Sequence, residues 1–121
     1  MIKKTIKYTD FDGNNREEDF FFNLSKAEVA EMELGISGGL SEMMKRLVAS
    51  QDTAKILEVF KTFLKKSYGV KSPDGKRFVK SQEIWDEFEQ TEAYSELFME
   101  LIVDASKASE FMSSIIPNVL K

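Results

Sequence analysis

Cysteine and histidine are both absent from the 121 residues. Without cysteine there are no disulfides and no thiolate metal sites, and nothing favours secretion. Without histidine the chain lacks the commonest general base and the commonest metal ligand at once. No run approaches the roughly 18 apolar residues of a membrane span, and the opening MIKKTIKYTD has no apolar signal-peptide region. Gly38-Gly39 is followed by no GK[ST], so no phosphate-cradling loop is present. No serine has a histidine or evident lysine partner arrangement. These absences leave little for an enzyme and describe a soluble, cytoplasmic chain with no membrane partner.

What is present is ordinary for a globular protein: 42% hydrophobic and 31% charged residues, enough chain for one domain with a modest core. The net charge of −4 argues against non-specific nucleic-acid binding. One basic stretch, KTFLKKSYGVKSPDGKRFVK, does interleave Phe63, Tyr68 and Phe78 with lysines. Phe63, however, is needed for a helical core stripe, and no nucleic-acid partner is expected.

Ile2, Ile6 and Tyr8 alternate with Lys3, Thr5, Lys7 and Thr9, the pattern of a half-buried strand. Phe20, Phe22 and Leu24 share a face in a second run. Between them lies Asp10-Phe-Asp-Gly13, which resembles the nucleophile of haloacid-dehalogenase-type phosphatases. That aspartate ends a strand buried in a parallel sheet, which is a near-continuous hydrophobic run. The first strand here is half lysine and threonine, and no βα units follow. An EF-hand count from Asp10 puts Asn15 at the glycine position and Phe21 at the bidentate glutamate. The motif is a hairpin turn.

From Ser25 the period becomes helical. Ser25 and Glu28 form a capping-box sequence, Gly35 ends the helix, and Gly38-Gly39 make a flexible link. A second helix runs from about Leu40 to Ala49. Asp52 caps a third, with Ile56, Leu57, Phe60, Phe63 and Leu64 as its core stripe. It ends near Tyr68-Gly69, and Ser72-Pro-Asp-Gly75 is a turn. Ser81 caps a fourth helix bearing Ile84, Trp85 and Phe88. Thr91 restarts a fifth with Tyr94, Leu97, Phe98, Leu101, Ile102 and Ala105. A last helix covers Ser106 to Ile115, before Pro117. The fold class is α+β, mostly α: an N-terminal β-hairpin (1–24), a bundle of about five helices (25–116) and a short tail (117–121), in one domain.

Three features are candidates for function. Glu92, Glu96, Glu100 and Asp104 recur every four residues and line one face of the fifth helix, either a solvated acidic surface or a contact for a basic partner. No metal or cofactor is expected on it. Lysines and arginines dominate Lys45 to Lys80, and acids dominate from Gln82 onward. The two segments either neutralise each other within the fold or meet head to tail between copies, a heterologous contact that makes rings or spirals. Methionines 32, 43, 44, 99 and 112 fall on the helices, where thioethers fill core gaps or serve a pliable binding surface. Met99 and Val103, at the margin of the fifth helix's apolar stripe, are the expected exposed patch. SSIIPNVLK adds Ile115, Ile116, Val119 and Leu120, as a docked tail or a partner-binding arm.

The order of segments resembles the tail assembly chaperones of long-tailed phages and prophages of Gram-positive bacteria. The resemblance rests on IKYTDFDGNNREEDFFFNLSKAEVAEMEL and on KRFVKSQEIWDEFEQTEAYSELFMELIVDASKASEFMSSIIP, and its most specific piece is TEAYSELFMEL with the Phe111…Ile-Ile-Pro117 ending. It implies a non-enzymatic protein of the infected host's cytoplasm that coats the tape measure protein, recruits tail-tube subunits and is absent from the finished virion. It implies self-association into rings or spirals. It also implies a longer frameshifted form, with the end at Lys121 fitting the short one. Met99, Val103, Ile115 and Ile116 are then the expected client contacts. The rival readings are a structural component retained in the tail, and an acidic regulator that binds a basic partner through Glu92 to Asp104.

Overall fold

The computed structural model describes residues 1–115. Within them the chain runs β1 (Ile2–Thr9), β2 (Asn15–Phe22), α1 (Lys26–Gly35), α2 (Gly39–Ser50), α3 (Thr53–Ser67), β3 (Tyr68–Lys71), β4 (Phe78–Val79), α4 (Gln82–Glu89), α5 (Glu92–Ile102) and α6 (Ala105–Ile115). The expected α+β class, mostly α with an N-terminal hairpin, is the observed one.

β1 and β2 pair antiparallel along their whole length, from Ile2 opposite Phe22 to Thr9 opposite Asn15. This register sets Ile2, Ile6, Phe20 and Phe22 on one face, where Ile6 and Phe22 are buried and Ile2 and Phe20 rest against the core. The other face is polar apart from Phe21, which lies under Lys71, and is paired across the strands: Thr5 donates to Asp19 (2.6 Å) and Thr9 to Asn15 (3.1 Å).

The helices begin where side chains can satisfy the free amides of a first turn. Ser25 Oγ accepts from the Glu28 amide at 3.1 Å, and Glu28 Oε1 accepts from the Ser25 amide at 2.9 Å, completing the capping box. Asp52, Ser81 and Thr91 each cap the helix expected of them. α2 is capped differently. Gly38 and Gly39 both have positive φ, and the Glu33 carboxylate reaches across to accept from the Leu40 amide at 2.9 Å. The glycine pair therefore forms a set turn that a Cβ would obstruct, because one at Gly39 would meet Glu33 Oε1 at 2.0 Å.

A second hairpin, β3–β4, extends the sheet to the order β1-β2-β3-β4. The expected turn at Ser72–Gly75 is present, closed by the Gly75 amide donating to the Ser72 carbonyl at 2.9 Å. Its flanking strands are too short, at four and two residues, to show alternation in the sequence. Gly69 is the residue that lets them approach: a Cβ there would lie 2.6 Å from the Phe78 ring and 2.7 Å from the Val79 carbonyl oxygen. The helix stop expected near Tyr68-Gly69 is present, with Tyr68 the C-cap of α3, and Gly69 is in addition a point of close backbone approach.

Phe22 joins the layers. Its ring lies 5.5 Å from Tyr68 on β3, 6.0 Å from Phe88 on α4 and 5.3 Å from Phe111 on α6. Phe63 is buried with Phe60 and Leu64 in the same core, as the helical stripe requires. α5 lies on β1, where Lys4 Nζ reaches Glu100 Oε1 at 2.9 Å.

Candidate functional site

Asp10 is held by its own turn. Its Oδ1 accepts from the amides of Asp12 (3.0 Å) and Asn14 (2.9 Å), and Arg16 Nε donates to its Oδ2 at 2.5 Å. The Arg16 hydrogen bond, followed by that of the Asn14 amide, holds the carboxyl below its ordinary value. With Gly13 at φ +85 beside it, the motif is a turn locked by its own aspartate. Among the described residues no group of carboxylates is gathered closely enough to hold a metal ion, and no helix is long and apolar enough to cross a membrane.

The surface of α5 carries most of the candidate residues. Ala93, Leu97 and Leu101 form its buried line. Met99 is 54% exposed and Val103, the C-cap, 76%. Ile102, expected in the core stripe, is 36% exposed instead and joins them. Residues three and four apart are neighbours on a helix, so the three side chains make one apolar ridge at the end of α5.

The acidic line is shorter than its spacing suggests. Glu92, Glu96 and Glu100 lie on α5, and Lys4 offsets the charge of Glu100. Asp104 does not continue the line, because α5 ends at Ile102. Its Oδ1 instead accepts from the Ser106 (2.9 Å) and Lys107 (3.3 Å) amides at the start of α6. Aspartate in that position favours a new helix start over helix interior, which is why four-residue spacing alone misplaced it.

Ile115 is also corrected. Expected at a client contact, it is at 1% exposure one of the most deeply buried side chains and anchors α6 in the core. Ile116 and the tail 117–121, with Val119 and Leu120, lie outside the described residues. Among the methionines, Met112 is core and Met32, Met43 and Met44 pack against it; Met99 is the exposed one of the five.

The two charged segments scarcely neutralise each other. Among the described residues the Lys61–Glu89 pair, at 3.0 Å, is the ion pair that joins them. Glu100 instead pairs with Lys4 at the N-terminus, and Lys80 pairs with Glu28. Glu92 and Glu96 have no cationic partner among the described residues.

The comparison with protein families gives this surface its context. The family model of the phage tail assembly chaperone matches residues 1–121, the whole chain. The chain belongs to this chaperone family. No curated protein and no solved structure gives a significant match. For a tail assembly chaperone, the relevant features are surfaces that can hold other tail proteins. The α5 ridge is an exposed apolar surface of this chain. A second, which sequence periodicity did not single out, is an apolar depression between α1, α2 and α3, considered below. Its side chains come from three helices, and a single-helix stripe cannot reveal such a convergence.

Proposed function

We propose that the chain is a non-enzymatic chaperone that binds the tape measure protein and helps recruit tail-tube subunits. The carrying observation is membership of the tail assembly chaperone family over the full 121 residues. The exposed ridge of Met99, Ile102 and Val103 supports it, since an assembly chaperone must offer apolar surface to an apolar client. Met99 is pliable enough to adapt to varied side chains. Glu96 borders the ridge one turn before Met99, with Glu92 a turn further along the same helix, and both would discourage its collapse on another acidic surface. The protein acts in the host cytoplasm during assembly and leaves before the virion is complete.

Self-association belongs to the same reading. A client coated along its length needs many copies, and the weak internal pairing of the basic and acidic segments leaves charge for contacts between copies. Sedimentation at low and high salt tests this part: a species that stays monomeric at low salt and high concentration removes it.

The deciding experiment is the soluble fraction of the tape measure protein expressed with and without this chain. Dependence of solubility and co-purification on the chain sustains the proposal. A client that behaves identically in both cases overturns it, and purified virions are then the place to look for the protein as a tail component.

A further inference from the structure

Two adjoining depressions of about 330 and 270 Å³ open on the side of the molecule formed by α1, α2 and α3. They share Met43, Lys55 and Val59, so they form one continuous groove. Met32 borders it from α1 and Ile36 from the C-cap just beyond, Met43 and Leu47 from α2, and Val59 and Phe63 from α3. The pairs 43/47 and 59/63 are each one helical turn apart, so α2 and α3 each present a short apolar ridge to the groove.

The charges at its margin are unbalanced. Arg46, Lys55 and Lys66 line the groove with a single carboxylate, Glu58. None of the three cations has a carboxylate partner among the described residues. Arg46 donates to the Ser37 carbonyl at 2.9 Å, which orients its guanidinium without neutralising it. Lys55 and Lys66 stand three turns apart on α3, about 16 Å along the helix axis. The groove follows three turns of α3, from Lys55 to Lys66, with thioether, aliphatic and aromatic side chains at its centre and unpaired cations at its edge, and has the form of a helix-in-groove receptor.

We infer that the α1–α3 groove is a docking site for an amphipathic helix of about three turns whose apolar stripe is bordered by carboxylates. The occupant's i, i+3/i+4 and i+7 side chains would lie between the two ridges, and its acidic borders would meet Arg46, Lys55 and Lys66. Charge complementarity selects the occupant: a lysine-bordered helix would meet three like charges. This deepens the chaperone reading by naming the chemistry of the segment held, and it rests on that reading for the claim that the segment belongs to a client.

Leu47 and Val59 are the positions to test. Both are half-buried in the groove, yet neither is part of the core or of the side chains packed against it. The probe is a synthetic helical peptide with a leucine stripe and glutamate borders, titrated against the full chain by fluorescence anisotropy. A second peptide carries lysines in place of the glutamates. The expected result is at least a tenfold preference for the glutamate peptide, falling as salt rises. Val59→Glu should weaken its binding at least tenfold with an unchanged thermal melt. The double variant Lys55→Glu, Lys66→Glu changes only exposed positions and should move the preference to the lysine peptide. Equal affinity for both peptides, or a preference that the double variant leaves unmoved, overturns the inference. Self-association abolished by Val59→Glu, with no peptide bound, also overturns it and assigns the groove to a second copy. The client solubility experiment separates the two levels. A tape measure protein still solubilised by Val59→Glu keeps the chaperone function and removes the client from this groove.

Discussion

Lys80 and Glu28 lie fifty-two positions apart in sequence and meet through both carboxylate oxygens of the glutamate, at 2.9 and 2.8 Å. Lys80 also donates to the Lys66 carbonyl at 2.8 Å. One ammonium thus joins the first turn of α1, the last turn of α3 and the start of α4. Glu28 meanwhile holds its half of the capping box.

This junction is sensitive to acid. Burial works to raise the Glu28 carboxyl, but the Lys80 hydrogen bond and the Ser25 amide together hold it below its ordinary value of 4.5. A depressed carboxyl contributes stability that is fully present above pH 4.5 and is lost as pH falls through the lower folded-state value. Glu28→Gln should therefore be less stable than the parent at pH 7, with the difference shrinking on acidification below that value. Lys80→Met should cost about 1 kcal/mol, since the pair is partly open to solvent. Urea unfolding at pH 7 and at stepped lower pH values checks both.

Gly69→Ala should destabilise by about 1–3 kcal/mol, the usual cost of overpacking. The added methyl group meets the Val79 backbone oxygen as well as the Phe78 ring, and backbone cannot yield as a side chain can. Gly75→Ala is the comparison. Nothing lies near its Cβ, but its φ of +74 carries a turn strain of its own. Thermal melts of the two variants separate crowding from turn conformation.

Ile115 and Val103 should behave oppositely. Ile115→Ala removes a fully buried side chain and should cost about 2–5 kcal/mol. Val103→Asp and Met99→Asp alter exposed positions and should stay within about 0.5 kcal/mol of the parent. If the α5 ridge holds the client, these two variants lose client solubilisation while melting normally. Retained solubilisation would place the client elsewhere on the chain.

Asp10→Asn should loosen the first turn by removing the charge that holds Arg16. The amide hydrogen bonds to residues 12 and 14 remain available to an asparagine oxygen. A small drop in melting temperature with the hairpin intact is expected, read by thermal melt and by the chemical shifts of Gly13 and Asn14.

The hairpin and the starts of α1, α3, α4 and α5 were legible because each is dictated locally: alternation for β1 and β2, an oxygen-bearing side chain at each of those N-caps. β3 and β4 were not, since Gly69 matters only through Phe78 and Val79, which lie nine and ten positions away. Ile102 and Ile115 show the same limit at the site. Both read as apolar positions near a helix end, yet Ile102, before the turn at Asp104, faces outward and Ile115, at the end of α6, faces inward. The α1–α3 groove needs three helices in place before it exists.

The contact between Lys4 and Glu100 also sets an order in time. These residues are separated by 96 positions, so a ribosome releases the first strand long before its covering helix. The β1–β2 hairpin can close early, because its pairing is local. Phe22 is then covered in steps, by Tyr68 and Phe88 and last by the ring of Phe111, while β1 waits for α5. Such a chain completes its folding only when nearly all of it has been synthesised, and its non-local pairings slow that last step. During the wait β1 is an outer strand with an unpaired edge, and its lysines at positions 3, 4 and 7 disfavour pairing with the same strand of a neighbouring nascent chain.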